Sequence, residues 1–319
     1  MSDLLTLVPQ LGDDPGPWAL VTLIQAEGST YRKAGAHLLV SQTRRLGMLS
    51  GGCLEADVAA RCAPILRGEE QVLEFVIDTR RLLGCEGRLT LLAERLPDTL
   101  APAVQRVLRE RTPLTLFTRH SGPNWSATST EGDQRRDFAH RVLPQLRLCV
   151  FGSGPGAQPL KSMAEVLGWT AEQLVLASDP ASRYPSDAWT VLGSAALARE
   201  HADSRTACVL MNHHVGRDSE LLLALWGSAT PFLGLLGSRR RRDQILGRLS
   251  FEHDLDLGHR ELFAPVGLDL AAEGASQIAL EICAQVQRVL AGESSATAVR
   301  ELPSSRENGV HPRFHERSA

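Results

Sequence analysis

Leu148-Cys149-Val150-Phe151-Gly152-Ser153-Gly154-Pro155-Gly156-Ala157 is the stretch on which the fold turns. A short apolar strand runs into G-x-G-x-x-A, and a helix reaching Leu167 follows, the context in which such glycines carry meaning. Gly152 permits a tight turn, Gly154 lets a phosphate approach the backbone, and the helix amino terminus supplies N–H donors. Asp179 ends the next strand, Gln173 to Ser178, where a ribose hydroxyl would be held. Pro155 removes one N–H from the loop, so the pattern speaks for the fold more strongly than for a bound nucleotide.

Downstream, strands at Thr206 to Met211 and Phe232 to Leu236 alternate with helical stretches near Ala195 to Glu200, at Ser219 to Trp226 and at Arg240 to Leu249. That alternation predicts a doubly wound parallel sheet over 138–292, closed by a helix at Ala275 to Leu290. Residues 293–319 are rich in Ser, Glu and Arg and are expected to be disordered. Upstream, Ser121 to Arg136 lacks periodicity, which makes 121–137 a linker. Residues 1–120 read as an α+β domain, with strands at Trp18 to Ala26, His37 to Ser41, Gln71 to Asp78, Arg88 to Ala93 and Leu114 to Thr118. Its helices are Leu54 to Leu66 and Leu100 to Glu110. The expected fold class is α/β, an N-terminal α+β domain followed by a Rossmann-like doubly wound parallel-sheet domain.

With 319 residues, 43% of them hydrophobic, the chain can bury more than one core, which excludes fibrous and disordered classes. A net charge of −3 speaks against general nucleic-acid binding, and no apolar run approaches the ~20 residues that span a bilayer, so no membrane partner is expected. The start Met1-Ser2-Asp3 has no basic region leading an apolar run, and a cytoplasmic location is the expectation. Six cysteines without a Cys-x-x-Cys pair read as thiols. Cys149, Cys208 and Cys283 sit in apolar runs and Cys62 on a helix, all as packing residues.

Cys53 and Cys85 differ, because glycines surround them. Ser50-Gly51-Gly52-Cys53-Leu54-Glu55 puts a thiol at the start of a helix that has Glu55 in its first turn, and the helix dipole and the free N–H groups of Gly52 and its neighbours are expected to stabilise the thiolate. Gly84-Cys85-Glu86-Gly87 is a second glycine turn, and Gly28-Ser29-Thr30-Tyr31-Arg32-Lys33 a third loop, in which Ser29 and Arg32 are candidates. His213-His214 falls at the carboxyl edge of the parallel sheet, where ligands of such folds bind, and His213 is the candidate there. Ser238, Arg239 and Arg240 open a helix with four successive arginines, a cationic cluster that a negative ligand or partner surface would compensate.

Taken together, GSTYRKAGA, SGGCLEADV, the Gly84-Cys85 turn, VFGSGPGAQPL, VLMNHHVGRD, FLGLLGSRRRR and APVGLDL resemble the XdhC/CoxI family, accessory proteins of molybdenum hydroxylases such as xanthine dehydrogenase. The resemblance implies a chaperone that binds the molybdenum cofactor (molybdopterin), supports its sulfuration and delivers it. The partners implied are an apo molybdenum hydroxylase, a cysteine desulfurase and, as a homodimer, a second copy of the chain. Cys53 would be the cofactor-handling thiolate and the molybdenum ligand. Ser29, Arg32, Gly51, Gly52, Glu55, Gly84, Cys85, Gly152, Gly154, Asp179, His213, Ser238, Arg239 and Arg240 would line the cofactor's path. Molybdenum and sulfur are soft partners for a thiolate. Two positions depart from the family: Glu86 where a glycine is usual, and Pro155 where a histidine commonly follows the second Rossmann glycine. Two other readings stand beside this one: a nicotinamide-dependent oxidoreductase on the Rossmann half, and a scaffold joining the desulfurase to the apo-enzyme.

Overall fold

The computed structural model describes residues 3–12, 16–79, 87–119, 128–130, 137–184, 186–256 and 260–292. Gly84, Cys85, Glu86 and the tail 293–319 lie outside them.

Helix α1 (Leu4–Leu7) precedes three strands, β1 (Ala19–Gly28), β2 (His37–Val40) and β3 (Arg45–Gly47). Helices α2 (Glu55–Arg61) and α3 (Ala63–Leu66) come next, then β4 (Val72–Asp78) and β5 (Gly87–Arg95). The strands form one antiparallel sheet in the order β3-β2-β1-β5-β4. Ala19, Val21, Leu23, Leu38 and Val40 face a core closed by Val58, Cys62 and Ile65 of the two helices. Leu20 and Leu39, on the other face, pack with Leu4, Leu5 and the apolar stripe Leu100, Val104, Val107 of α4 (Leu100–Glu110). Burial of both faces is why Trp18 to Ala26 reads as an apolar run instead of alternating. The helix expected over Leu54 to Leu66 is two helices, because Pro64, at the second position of α3, has no N–H to continue the ladder.

Strands β6 (Leu114–Arg119), β7 (Thr128–Ser129) and β8 (Asp137–Val142) form a small antiparallel sheet in the order β7-β6-β8, and Leu116 and Val142 complete the second core. Thr128–Ser129 and Asp137, inside the range read as a linker, therefore pair with β6. Polar β-branched residues without periodicity suit an edge strand as well as a loop.

The remaining elements are β9 (Arg147–Phe151), α5 (Ala157–Val166), β10 (Thr170–Leu176), β11 (Thr190–Leu192), β12 (Thr206–Leu210), α6 (Val215–Trp226), β13 (Phe232–Leu235), α7 (Arg239–His253) and α8 (Ala275–Gly292). Every pairing in the order β11-β10-β9-β12-β13 is parallel, as the alternation predicts. Leu148, Val150, Ala207 and Val209 face α5 and α8, while Cys149, Phe151, Cys208 and Leu210 face α6 and α7. Chain order reverses between β9 and β12, which opens a crevice at their carboxyl ends. At the amino end of this sheet, Arg111 after α4 reaches Asp203 at 2.6 Å, and Arg147 reaches the same carboxylate at 3.0 Å. This shared carboxylate ties the two halves of the chain together.

Candidate functional site

Strand register gathers the motif-bearing loops of the first sheet at one edge. Gly28, ending β1, pairs with Gly87, which starts β5; Asp78, ending β4, pairs with Arg88. Gly47, ending β3, pairs with Leu38 near the start of β2. The connections 29–36 and 48–54 therefore leave from the same end of the sheet, the end at which β4 finishes and β5 begins. The first lines an open cup of about 500 Å³ with Ala26, Gly28, Ser29, Thr30, Lys33 and Ala34. Gly87 must be glycine here, since a Cβ would stand 2.6 Å from the Ser29 carbonyl oxygen. Ser29 is exposed, and Tyr31 is 69% exposed, an aromatic face at the same loop. Arg32 is turned away from the cup, and its guanidinium holds both oxygens of Asp3 at 2.7 Å.

Cys53 is exposed, as are Gly51 and Gly52, and its loop is shaped from beneath by Glu55. The buried Glu55 carboxylate accepts from the N–H of Leu49 at 2.9 Å, the N–H of Ser50 at 2.8 Å and the Ser50 hydroxyl at 2.7 Å, with Leu54 N–H at 3.2 Å. Burial alone would raise its pKa, but these bonds, led by those from Ser50, hold it below the ordinary value. The backbone donors expected to serve the thiolate are engaged: Gly52 and Leu54 both give their N–H to Ser50 Oγ at 3.1 Å. A two-residue spacing around a serine hydroxyl closes such turns locally, so the donors were never free.

Cys62, Cys149, Cys208 and Cys283 are buried, in keeping with the apolar runs around them. Burial raises the Cys62 thiol to about 11 and Cys283 to about 12. A hydrogen bond with Cys208, together with burial, pushes Cys149 well above the usual range.

At the Rossmann crevice Gly152 takes φ +137°, and a Cβ there would meet the Met211 carbonyl oxygen at 2.7 Å. Only glycine fits. His213, beyond β12, is exposed, holds a left-handed φ of 52°, and would stand 3.6 Å from a Cβ on Gly154. Asp179 does not wait for a ribose: Ala181 N–H bonds one oxygen at 2.9 Å, and Ser153 Oγ (3.2 Å) and Arg217 (3.5 Å) share the other. A carboxylate ending a strand and preceding Pro180 serves as an N-cap as readily as a ribose acceptor. Ser238 caps α7 by accepting from Arg241 N–H at 3.3 Å. Of the arginine run, Arg241 is paired with the fully buried Asp218, which also takes the Asn212 amide at 2.7 Å, and Arg242 meets Asp243 at 2.7 Å. Arg239 and Arg240 stay exposed.

The candidates thus form two groups. Ser29, Gly51, Gly52, Cys53 and Glu55 belong to one edge of the antiparallel sheet; Gly152, Gly154, Asp179, His213, Ser238, Arg239 and Arg240 belong to the carboxyl rim of the parallel sheet. Among the described residues no hydrogen bond or ion pair joins the two. Tyr31, Arg217 and the Asp218–Arg241 pair are not among the residues that the sequence motifs single out. Asp218 sits in the first turn of the helix after His213-His214, a position where an acid faces the neighbouring loop, and that spacing was the available signal.

Among known proteins, the XdhC and CoxI family profile matches residues 13–76, and that of the XdhC Rossmann domain matches 148–286. The chain is 28% identical to a probable xanthine dehydrogenase subunit of Bacillus subtilis, over 90% of this chain and 97% of that protein. It is 27% identical to the molybdenum cofactor insertion chaperone PaoD of Escherichia coli, over 85% of this chain and 82% of that one. A crystal structure titled as a xanthine dehydrogenase from Bacillus halodurans superposes with a TM-score of 0.74 at 25% identity, covering 94% of this chain and 98% of that one. Two profiles in family order on the expected two-part fold, with relatives alike along nearly their whole length, have one reading: the chain belongs to the XdhC/CoxI family.

Proposed function

We propose that this protein is a maturation chaperone that holds the molybdenum cofactor as cargo, keeps it during sulfuration and hands it to an apo molybdenum hydroxylase of the xanthine dehydrogenase type. The observation that carries the reading is the convergence of the Ser29 and Cys53 connections at one sheet edge, with Cys53 the exposed thiol among the described cysteines. A soft thiolate suits molybdenum or the sulfur being installed. Lys33 and the hydroxyls of Ser29 and Thr30 suit the phosphate of a pterin, and Tyr31 offers a face to its planar ring. Glu55 acts on the cofactor through the loop it shapes. The relative named as an insertion chaperone supports the same reading, and a cysteine desulfurase is the partner that sulfuration would require. The occupied carboxylate of Asp179 weighs against a nicotinamide oxidoreductase.

The test is anaerobic purification from cells that make the cofactor, with metal analysis and pterin fluorescence on the isolated chain, followed by addition to apo-hydroxylase. Bound molybdenum and pterin, and hydroxylase activity that appears on mixing, are expected. Protein that carries neither, and that turns over a nicotinamide instead, would sink the proposal.

A further inference from the structure

His37 opens β2 completely buried, and neither ring nitrogen has a hydrogen-bond partner. Its ring centroid lies 4.7 Å from that of His140 on β8, the planes tilted by 43°, and His140 Nε2 is likewise buried and unpartnered. Thr22, opposite His37 on β1, adds a buried hydroxyl in the same condition. Such surroundings keep both rings neutral: burial, then His140 and Arg32, lower His37 well below the ordinary 6.5. Burial brings His140 to about 4, against an opposing pull from Asp3. The charged groups around the pair are Asp3 before α1 and Arg32 from the 29–36 connection. On β5 the carboxylate of this face, Glu94, stands opposite Leu20, a step away from Leu92, which faces Thr22.

The same groups fasten the 29–36 connection. Arg32 ties it to Asp3, whose carboxylate also takes the His37 N–H at 3.4 Å. Gly35 lies against His140, where a Cβ would stand 3.4 Å from the ring. Gly35 N–H bonds the Leu23 carbonyl at 2.8 Å, and Leu23 N–H the Ala36 carbonyl at 2.9 Å. His37 follows directly.

We propose that the His37–His140 pair is a pH latch on the 29–36 connection, closed while both rings are neutral and released by acid; its bearing on cargo rests on the function proposed above. In the closed state a proton would place an unsolvated charge beside Arg32. In the opened state both rings are wet and accept protons as free histidines do. Closure is therefore fully favoured above pH 6.5 and loses ground as pH falls below it. Each pH unit below that value raises the opened population up to ~10-fold per ring, hence up to ~100-fold for the pair, until the closed-state values are reached.

Hydrogen exchange on the full chain, without cofactor, tests this through protection factors corrected for the intrinsic pH dependence. Between pH 7.5 and 5.5, peptides spanning 22–37 should lose roughly 10- to 100-fold in protection while β9 and β12 peptides hold theirs. His140→Phe should remove about half of that effect on a logarithmic scale. Should the variant fail to fold, proton NMR of the wild-type histidines serves: both rings must stay neutral in the native state at pH 5.5. Unchanged protection over 22–37, an equal loss everywhere, or a native-state ring that titrates near 6.5 overturns the latch. Pterin retention by separately prepared cofactor-loaded protein over the same pH range separates the two ideas, because lost protection with full retention upholds the latch and counts against this edge as the cargo site.

Discussion

Replacing Glu55 with Gln tests whether a buried carboxylate shapes the Cys53 loop. The carboxylate accepts four hydrogen bonds from Leu49, Ser50 and Leu54. Bonds to a charged acceptor contribute ~1.5–3 kcal/mol each, and a buried donor left without a partner costs ~1–3 kcal/mol. The amide keeps one oxygen for the Leu49 and Ser50 N–H groups but turns an NH₂ toward Ser50 Oγ and Leu54 N–H. Leu54 N–H keeps Ser50 Oγ as acceptor, but that oxygen already takes the Gly52 and Leu54 N–H groups, so the Ser50 O–H loses its acceptor and meets the NH₂, and the loss should be about 2–3 kcal/mol. Against a total of ~5–15 kcal/mol the fold survives. The pH dependence has a definite sign. Because the folded pKa lies below the ordinary 4.5, the carboxylate's contribution is whole above that value and fades as pH drops beneath it. Urea unfolding of both proteins at pH 7 and at about pH 3.5 measures this. The stability gap should narrow in acid, and Cys53 should alkylate at an altered rate in the variant. A gap under ~0.5 kcal/mol at pH 7, or one that does not shrink in acid, would show that the Glu55 carboxylate does not shape the loop.

Asp218→Ala leaves the Arg241 guanidinium and the Asn212 amide beside a hole, and should cost ~3–5 kcal/mol in chemical denaturation, far more than any substitution at exposed Arg239. Arg239→Gln with Arg240→Gln should change stability by less than ~0.5 kcal/mol yet weaken binding of the hydroxylase partner at low salt; unaltered binding would make the pair a solvated face. Alkylation of the native protein at neutral pH, mapped by peptide, should label Cys53 before Cys62, Cys149, Cys208 and Cys283; early labelling of any of these four would contradict their burial.

The parallel half was legible because its strands, buried on both faces, are short apolar runs punctuated by Gly152 and Gly237 and separated by helical patterns. In the antiparallel half five strands were readable, but β3, three residues long and largely exposed, carries no periodicity to detect, and β7 and β8 went unread beside a polar stretch. Within the site, Cys53 and Glu55 stood out by glycine context and first-turn position. Their geometry did not, since nothing in SGGCLE announces that Ser50 Oγ takes the N–H groups of Gly52 and Leu54. Long-range pairs were invisible for a simpler reason. Asp3 meets Arg32, and His37 meets His140, across separations that only a folded sheet brings to contact.

Cofactor content of Cys53→Ala, purified anaerobically beside the wild type, shows whether the exposed thiol holds the cargo. An exposed side chain with no packing role should leave folding intact, so thermal denaturation serves as the control. An unchanged melting temperature, molybdenum and pterin reduced to a small fraction of the wild-type content, and no activation of apo-hydroxylase are expected. Wild-type cofactor content together with full activation would contradict that role for the thiol.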